Sequence, residues 1–226
     1  MGGYGRSAST VAALNTSIGS SDYSAGLYAG SEWDSVRVAL GAVYTYSTVS
    51  SLRKITLPTA QTLTADYAAR TGTLFGEMAK EFDFGVVSLT PYAGAQYIRS
   101  SGAAYSETGG SAALSIADRL SNTLSTTLGL RSSADFIVHD DMLLSIGAGA
   151  GWKHAFSDQS SVTHSFVAGG NSFAVSNAPA PADRLAIEAS AGLDISAHLA
   201  LDLSYAGEIT ASSRTHQVQA GVKGSF

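Results

Sequence analysis

Apolar and polar residues alternate along much of this chain, and the stretch LALDLSYAGEI (199–209) gives the clearest example. One face of that stretch carries Leu199, Leu201, Leu203, Tyr205 and Ile209, and the other carries Asp202, Ser204 and Glu208. A period of two indicates a β-strand with one apolar side. The same alternation predicts strands in TLSTTLGLRSSADFIV (123–138), LLSIGAGAGWKHAF (143–156), RLAIEASAGLDIS (184–196) and the C-terminal HQVQAGVKGSF (216–226).

Four further strands are predicted near residues 23–33, 35–49, 69–84 and 86–99. Short connectors near Asp34, Gly85, 139–141 and 197–198 alternate with long ones at 50–66, 100–121 and 157–182. Transmembrane β-barrels combine tight periplasmic turns with longer outer loops in this way. The fold class predicted is therefore all-β, an antiparallel transmembrane β-barrel, with about nine or ten strands present in the chain.

Aromatic side chains gather near both ends of the predicted strands. The short-connector end carries Trp33, Phe82, Phe84 and Phe136, with Phe226 at the terminus, and the other end carries Tyr44, Tyr46, Tyr97, Trp152 and Phe156. Amphipathic rings prefer the two membrane interfaces, so two such belts favour a membrane barrel. The alternative is a soluble β-sandwich or lipocalin-like barrel, whose apolar faces turn inward.

Composition favours the membrane alternative and excludes several other classes. Charged residues make up 14% of the chain, well below the share in an ordinary soluble domain. No apolar run is long enough for a helical span, and the net charge of -5 gives no basic patch, so no nucleic acid partner is expected. With no cysteine and no spacing of metal ligands among its five histidines, the chain is expected to hold no metal and no cofactor.

The polar faces of the predicted strands carry isolated charges, which are expected to line the lumen because charge on the lipid face is costly. These residues are Glu77, Arg131, Asp135, Glu188, Asp194, Asp202, Glu208 and Lys223. Two interpretations stay open: the charges pair and hydrate a polar interior, or they line a channel that holds a threading polypeptide. No acid, base and nucleophile converge in the sequence, so no catalytic residue is assigned and the chain is not expected to be an enzyme.

Several stretches, taken in order, resemble the autotransporter β-domain of Gram-negative outer membranes. They are GLYAG (26–30), ADYAARTGTLFGE (65–77), LTPYAGAQYIR (89–99), ETGGSAALS (107–115), TLGLRS (127–132), GWKHAFSD (151–158), FVAGGNSFAVSNAPAPAD (166–183) and the terminal VKGSF. The resemblance implies a twelve-stranded barrel, matched from about the end of the family's third strand onward. We expect one domain over residues 1–226, truncated at its front, with residues 1–21 as a partial strand and outer loop.

The resemblance also implies partners: outer-membrane lipid, a fused N-terminal passenger that is absent from this chain, and the barrel-assembly machinery. That machinery is expected to read the last strand, with Val218, Ala220, Val222, Gly224 and Phe226 on its apolar face. An open edge in lipid would cost several kcal/mol for each unpaired backbone group. Either residues 2–13 add a short tenth strand, or the missing strands lie upstream in the same gene, or the barrel is incomplete.

The function implied is the pore wall of a type V secretion translocator in the outer membrane of a Gram-negative bacterium. Two rivals remain: a passive porin-like or structural barrel, and an outer-membrane hydrolase with its residues on the outer loops. A third alternative is an inactive truncated fragment. Passenger identity, cleavage and the true strand number do not follow from the sequence.

Overall fold

The computed structural model describes residues 1–11, 15–56, 59–139, 142–157, 161–176, 181–196 and 198–224, without the side chains of His139 and Ser157. The predicted terminal aromatic, Phe226, lies outside these residues. Within them, no helix is long and apolar enough to cross a membrane. The strands are β1 (Gly2–Val11), β2 (Thr16–Trp33), β3 (Val36–Ile55), β4 (Gln61–Lys80), β5 (Phe82–Asp83), β6 (Val87–Gly102), β7 (Tyr105–Ser106), β8 (Leu114–Ile116), β9 (Arg119–His139), β10 (Met142–Ser157), β11 (Ser161–Phe166), β12 (Phe173–Ser176), β13 (Asp183–Ser196), β14 (Leu199–Ile209) and β15 (Arg214–Gly224).

Ten long strands form one antiparallel sheet in the order β1-β2-β3-β4-β6-β9-β10-β13-β14-β15, and the short β5 pairs with β6. Every strand therefore lies beside its sequence neighbour among the long strands, an up-and-down arrangement that confirms the predicted fold class. Among the described residues, β1 pairs only with β2 and β15 only with β14, so both edges of the sheet are open there.

The predicted strand cores are confirmed, but two predictions about the outer connectors are wrong. Residues 50–55 and 61–66 were expected in a loop, yet they extend β3 and β4. Residues 16–21, expected in an outer loop, extend β2. Residues 2–11 form a tenth strand, β1, which agrees with the alternative of a short tenth strand over residues 2–13. The cause is length: a strand of 20 residues tilted by about 45° rises about 45 Å, beyond the roughly 25 Å apolar band, so its outer end is polar and hides the alternation.

A small second sheet stands at the long-connector end, in the order β12-β11-β8-β7. Two predicted loops, 100–121 and 157–182, supply its strands. This sheet packs against β4, and three of the most buried side chains among the described residues belong to these segments, with Leu63 1%, Ala113 3% and Ile116 4% exposed. The main apolar surface of the chain is elsewhere.

The ten-stranded sheet has an outer face of large apolar side chains and an inner face of small and polar ones. Exposed apolar residues on the outer face include Leu27, Leu40, Leu74, Leu128, Ile146, Leu203, Val218 and Val222. So large an exposed apolar surface is expected of a protein that contacts lipid. On the inner face, residues from β3 and from β15 line one cavity, so the sheet curls toward itself.

Candidate functional site

The inner face brings together all eight charges that the alternation predicted for it. Each lies at one of the alternate strand positions that face inward, on the face that carries Arg37 in β3 and Gln217 and Gln219 in β15. Strand register places them, since a residue and its direct cross-strand partner point to the same side. The set is Glu77, Arg131, Asp135, Glu188, Asp194, Asp202, Glu208 and Lys223.

Arg131 is the centre of an ion-pair network that joins three strands which are not direct neighbours. Its Nη1 and Nη2 donate to the two carboxylate oxygens of Glu77 at 2.5 and 3.0 Å, and its Nε donates to Glu188 Oε1 at 2.6 Å. A bidentate guanidinium–carboxylate pair fixes both direction and distance. The network therefore connects β4, β9 and β13 across the inner face, bridging over β6 and β10.

Tyr92 lies between this network and the backbone of the sheet. The guanidinium carbon of Arg131 lies 3.7 Å from the centre of the Tyr92 ring, close enough for cation–π attraction. The ring occupies the space over two glycines: a Cβ at Gly129 would lie 2.5 Å from the ring, and one at Gly151 would lie 2.6 Å from its hydroxyl oxygen. Glycine at these strand positions is therefore a packing requirement that lets the aromatic ring lie flat against the sheet.

A second group of charges lies nearer the long-connector end of the inner face. Lys153 Nζ and Arg184 Nη1 both donate to the carboxylate of Glu208, at 2.9 and 3.2 Å. Nearer the short-connector end, Lys223 pairs with Asp202 at 2.9 Å, and Ser145 Oγ donates to Asp135 at 2.5 Å. Asp194 shares the face, and no ion pair to it is found in the part of the chain that the structure describes.

The inner face also carries an open cavity of about 570 Å³, lined by residues of β3, β6, β9, β10, β13, β14 and β15 and by Glu81. Arg131 and Glu188 reach into it, among serines, glutamines and alanines. Both signs of charge are present and mostly paired, so the lining is polar and hydrated without a strong field of one sign. Such a surface suits the passage of a polar chain better than tight binding of one ligand.

The second sheet is held to the inner face above this cavity by a buried ion pair. Arg53 Nε and Nη2 donate to both oxygens of Glu107, at 3.0 and 2.5 Å, and the amide of Leu114 donates to the same carboxylate at 3.0 Å. The hydrogen bond to Glu107 raises the pKa of Arg53. Tyr105 stacks on Tyr67 at 4.2 Å, and its burial raises the pKa of its phenol.

The predicted aromatic belts are located as follows. Trp33, Phe82, Phe84 and Phe136 are exposed at the short-connector end, and Tyr44, Tyr46, Tyr97, Trp152 and Phe156 are exposed on the outer face nearer the other end. In the upper group, Trp152 Nε1 donates to Asp183 at 2.8 Å and His154 shares the same carboxylate. On the last strand, Val218, Ala220, Val222 and Gly224 share the outer face, with Val218 and Val222 strongly exposed.

The predicted set of lumen-lining residues leaves out four inner-face residues, Tyr92, Lys153, Arg184 and Gln217, although the alternation places Lys153 and Gln217 on polar strand faces. The alternation along each strand could have placed all four there, since each shares its face with a predicted charge. What the sequence does not contain is the pairing across strands that are not neighbours, which depends on the curl of the sheet.

No group of three metal-ligating side chains is found within the described ranges.

Comparison with known proteins agrees with this architecture. The model of the family described as "Autotransporter beta-domain" matches residues 1–206. An extracellular serine protease of Serratia marcescens is 27% identical over 228 aligned residues, which cover all of this chain and 22% of that protein. A second extracellular serine protease of Serratia marcescens is 26% identical over 209 residues, which cover 92% of this chain and 20% of that protein.

The chain thus spans about a fifth of the length of these relatives. Among solved structures, the translocator domain of the autotransporter NalP from Neisseria meningitidis has the same fold, with a TM-score of 0.71 at 18% identity over all of this chain and 73% of that one. The chain belongs to the autotransporter β-domain family, the translocator barrels that reside in the outer membranes of Gram-negative bacteria.

Proposed function

We propose that this β-domain forms the wall of an export pore through which a passenger fused on its N-terminal side reaches the cell surface. The observation that carries the proposal is the Arg131–Glu77–Glu188 network, which stands on the inner face beside the open cavity. Paired charges on the barrel wall keep the passage hydrated, and their cross-strand contacts hold the strands of the wall in place. A polypeptide can slide along such a wall because the main cavity on it is lined by charged side chains, serines and glutamines.

The eight inner-face charges are assigned to this wall as lumen-lining residues. Their pairing supports the assignment, since cross-strand ion pairs stabilise the curl of the sheet that makes the passage. The chain itself performs no catalytic step in the proposal, and it needs no metal or nucleotide. Any proteolytic activity of the kind named for the Serratia relatives would belong to the passenger.

Residues 1–226 are proposed to be a single domain that is completed by further strands of the same polypeptide. The open edges of β1 and β15 support this, because each unpaired donor or acceptor in hydrocarbon costs several kcal/mol. The share of the NalP domain that the chain covers, 73%, leaves room for such strands.

The barrel-assembly machinery is proposed to read β15 together with Phe226. Val218 and Val222 support this proposal, since they present an exposed apolar row on an edge strand with a free hydrogen-bonding side. An edge strand of this kind can pair with another protein's strand before the barrel closes.

A passive porin-like barrel is the rival function, because an open polar cavity would also pass small solutes. The native product decides between them. We would detect it in outer-membrane fractions with an antibody against residues 199–209, in boiled and unboiled samples. A species much heavier than 23.1 kDa, whose N-terminal part is removed by protease added to intact cells, is the expected result. A heat-modifiable band of 23.1 kDa alone would contradict the export function.

A further inference from the structure

The outer face of β2, β3, β4 and β6 carries a groove that the export function does not use. It has a volume of about 650 Å³, within the usual range for ligand sites. Leu27, Leu74, Tyr44 and Tyr97 form its apolar walls, Gly72 lies on its floor, and Arg99 lies at one side. A Cβ built at Gly72 would meet nothing within 4 Å, so the floor is open to the outside.

The register explains why a groove forms there. Tyr44, Gly72 and Arg99 are direct neighbours across three strands, so the missing side chain of Gly72 leaves a gap between a ring and a guanidinium. In the next row toward the short-connector end, Leu74 and Tyr97 are direct neighbours and close the groove with apolar surface. The result is an apolar channel with a cation at its upper end.

A second arginine stands beside the first. Arg70 lies on the outer face of β4 opposite Ser101 of β6, which makes it a diagonal neighbour of Arg99. Diagonal positions on one face are about 7–8 Å apart, so both guanidinium groups can reach one anion. In the described part of the chain, Arg70 and Arg99 form no ion pair and no hydrogen bond, although both are exposed.

The surrounding charge is cationic. Arg6 and Lys54 also lie on the upper outer face of β1 and β3, against a single carboxylate there, Asp66, which accepts a hydrogen bond from Ser50 at 2.5 Å. The two arginines lie at the level of the outer membrane interface. Tyr46, the direct neighbour of Arg70, is ten residues above Val36 at the lower end of β3. In a strand tilted by about 45°, ten residues rise about 23 Å, which is close to the height of the apolar band. Unpaired arginines at this level meet lipid headgroups, where phosphate is their best partner.

We propose that this groove binds the phosphorylated glycolipid of the outer leaflet, lipopolysaccharide. Arg70 and Arg99 hold one of its phosphates, and one acyl chain lies over Gly72 between Tyr44 and Tyr97. The long connectors place this end of the strands outside the cell, so the facing leaflet is the outer one. The phosphates of this glycolipid are monoesters, which carry more negative charge than the phosphodiester of a phospholipid, so one of them suits two neighbouring guanidinium groups better.

The test uses the full-length membrane protein that contains this chain, purified from outer membranes in mild detergent and freed of lipid. Native mass spectrometry measures its affinity for deep-rough lipopolysaccharide, for the same lipid after removal of its phosphates, and for phosphatidylglycerol. The wild type is expected to bind intact lipopolysaccharide at least tenfold more tightly than the other two. Equal affinity for the dephosphorylated lipid, or for phosphatidylglycerol, would overturn the proposal.

Variants locate the site. R70Q/R99Q is expected to lose at least tenfold in affinity for lipopolysaccharide, and Gly72→Leu, which fills the floor of the groove, severalfold. The control is Arg214→Gln, which makes the same change of charge on the outer face of β15 at the same end of the strands, away from the groove. Heat-modifiable gel mobility checks that each variant is folded. An unchanged affinity in R70Q/R99Q, or an equal loss in R214Q, refutes the site. If a variant does not fold, the affinities of the wild type for the three lipids test the proposal instead.

Discussion

Arg131 and Tyr92 form a stacked pair on the inner face, with the guanidinium carbon 3.7 Å from the centre of the ring. The ring is seated over two glycines of neighbouring strands, and the guanidinium is held in turn by two glutamates. The space above the two glycines, the position of the Tyr92 ring and the position of the Arg131 guanidinium therefore depend on one another. A substitution at any of these residues should affect the others, so the network can be tested one residue at a time.

Arg131→Met should destabilise the barrel by about 1–3 kcal/mol, because it leaves Glu77 and Glu188 as like charges with no partner on a half-buried face. The partial exposure of all three side chains keeps the loss below that of a fully buried pair. The measurement is the temperature at which the folded band converts to the unfolded one on a gel. Export of the passenger should fall in parallel.

The control for that variant removes all three charges together. In Arg131→Met combined with Glu77→Gln and Glu188→Gln, no charge is left unpaired, so much of the stability should return. Arg131→Lys should fall between, since an ammonium group cannot make the bidentate contact with Glu77. If the triple variant were less stable than the single one, unpaired charge would not be the cause.

Gly129→Ala should weaken the fold through sterics alone. The new Cβ would lie 2.5 Å from the Tyr92 ring, closer than real Cβ contacts, so the ring must leave its seat beneath Arg131. A loss of about 1–3 kcal/mol is expected, read from urea midpoints in detergent. Gly5→Ala, at a strand glycine with nothing near its Cβ, is the matched control and should change little. Tyr92→Ala should remove the penalty of Gly129→Ala, and a penalty that persists would contradict the steric explanation.

Glu107→Gln should loosen the second sheet and leave the ten-stranded sheet intact. Glu107 is 8% exposed and accepts from Arg53 and from the Leu114 amide, so loss of its charge leaves a partly buried guanidinium uncompensated. Hydrogen exchange of the amides in 114–116 should speed up more than tenfold. Glu32→Gln removes a carboxylate from an exposed pair with Arg37 and should leave those amides unchanged. Equal effects from both variants would show that the Arg53–Glu107 contact does not anchor this sheet.

Alternation predicts the strand cores and the faces well because lipid on one side and polar surface on the other impose a strict period of two. The positions of Glu77 and Glu188 on the inner face followed from that period alone. Their common partner did not, since Arg131 reaches each of them across an intervening strand, and only the curl of the sheet brings those side chains within 3 Å.

The second sheet was missed for a different reason. Its strands are two to six residues long, too short for a pattern to stand out, and they are held by contacts with residues far along the chain such as Arg53. The extended outer ends of β3 and β4 were missed because they stand above the apolar band, where both faces are polar. Local periodicity carries no information about structure that is fixed by packing between distant segments.

Removing Phe226, or replacing it with Asp, should lower assembly in the outer membrane. The last described strand ends with exposed Val218 and Val222 on its outer face, and Phe226 continues the same alternation by sequence. A charge at that position breaks the apolar row that is proposed to be read before insertion, and it also places a carboxylate at the aromatic belt. Membrane yield and the fraction of heat-modifiable protein measure the effect. Phe226→Tyr keeps a ring suited to the interface and should assemble normally, whereas unchanged yield in the Asp variant would remove Phe226 from the signal.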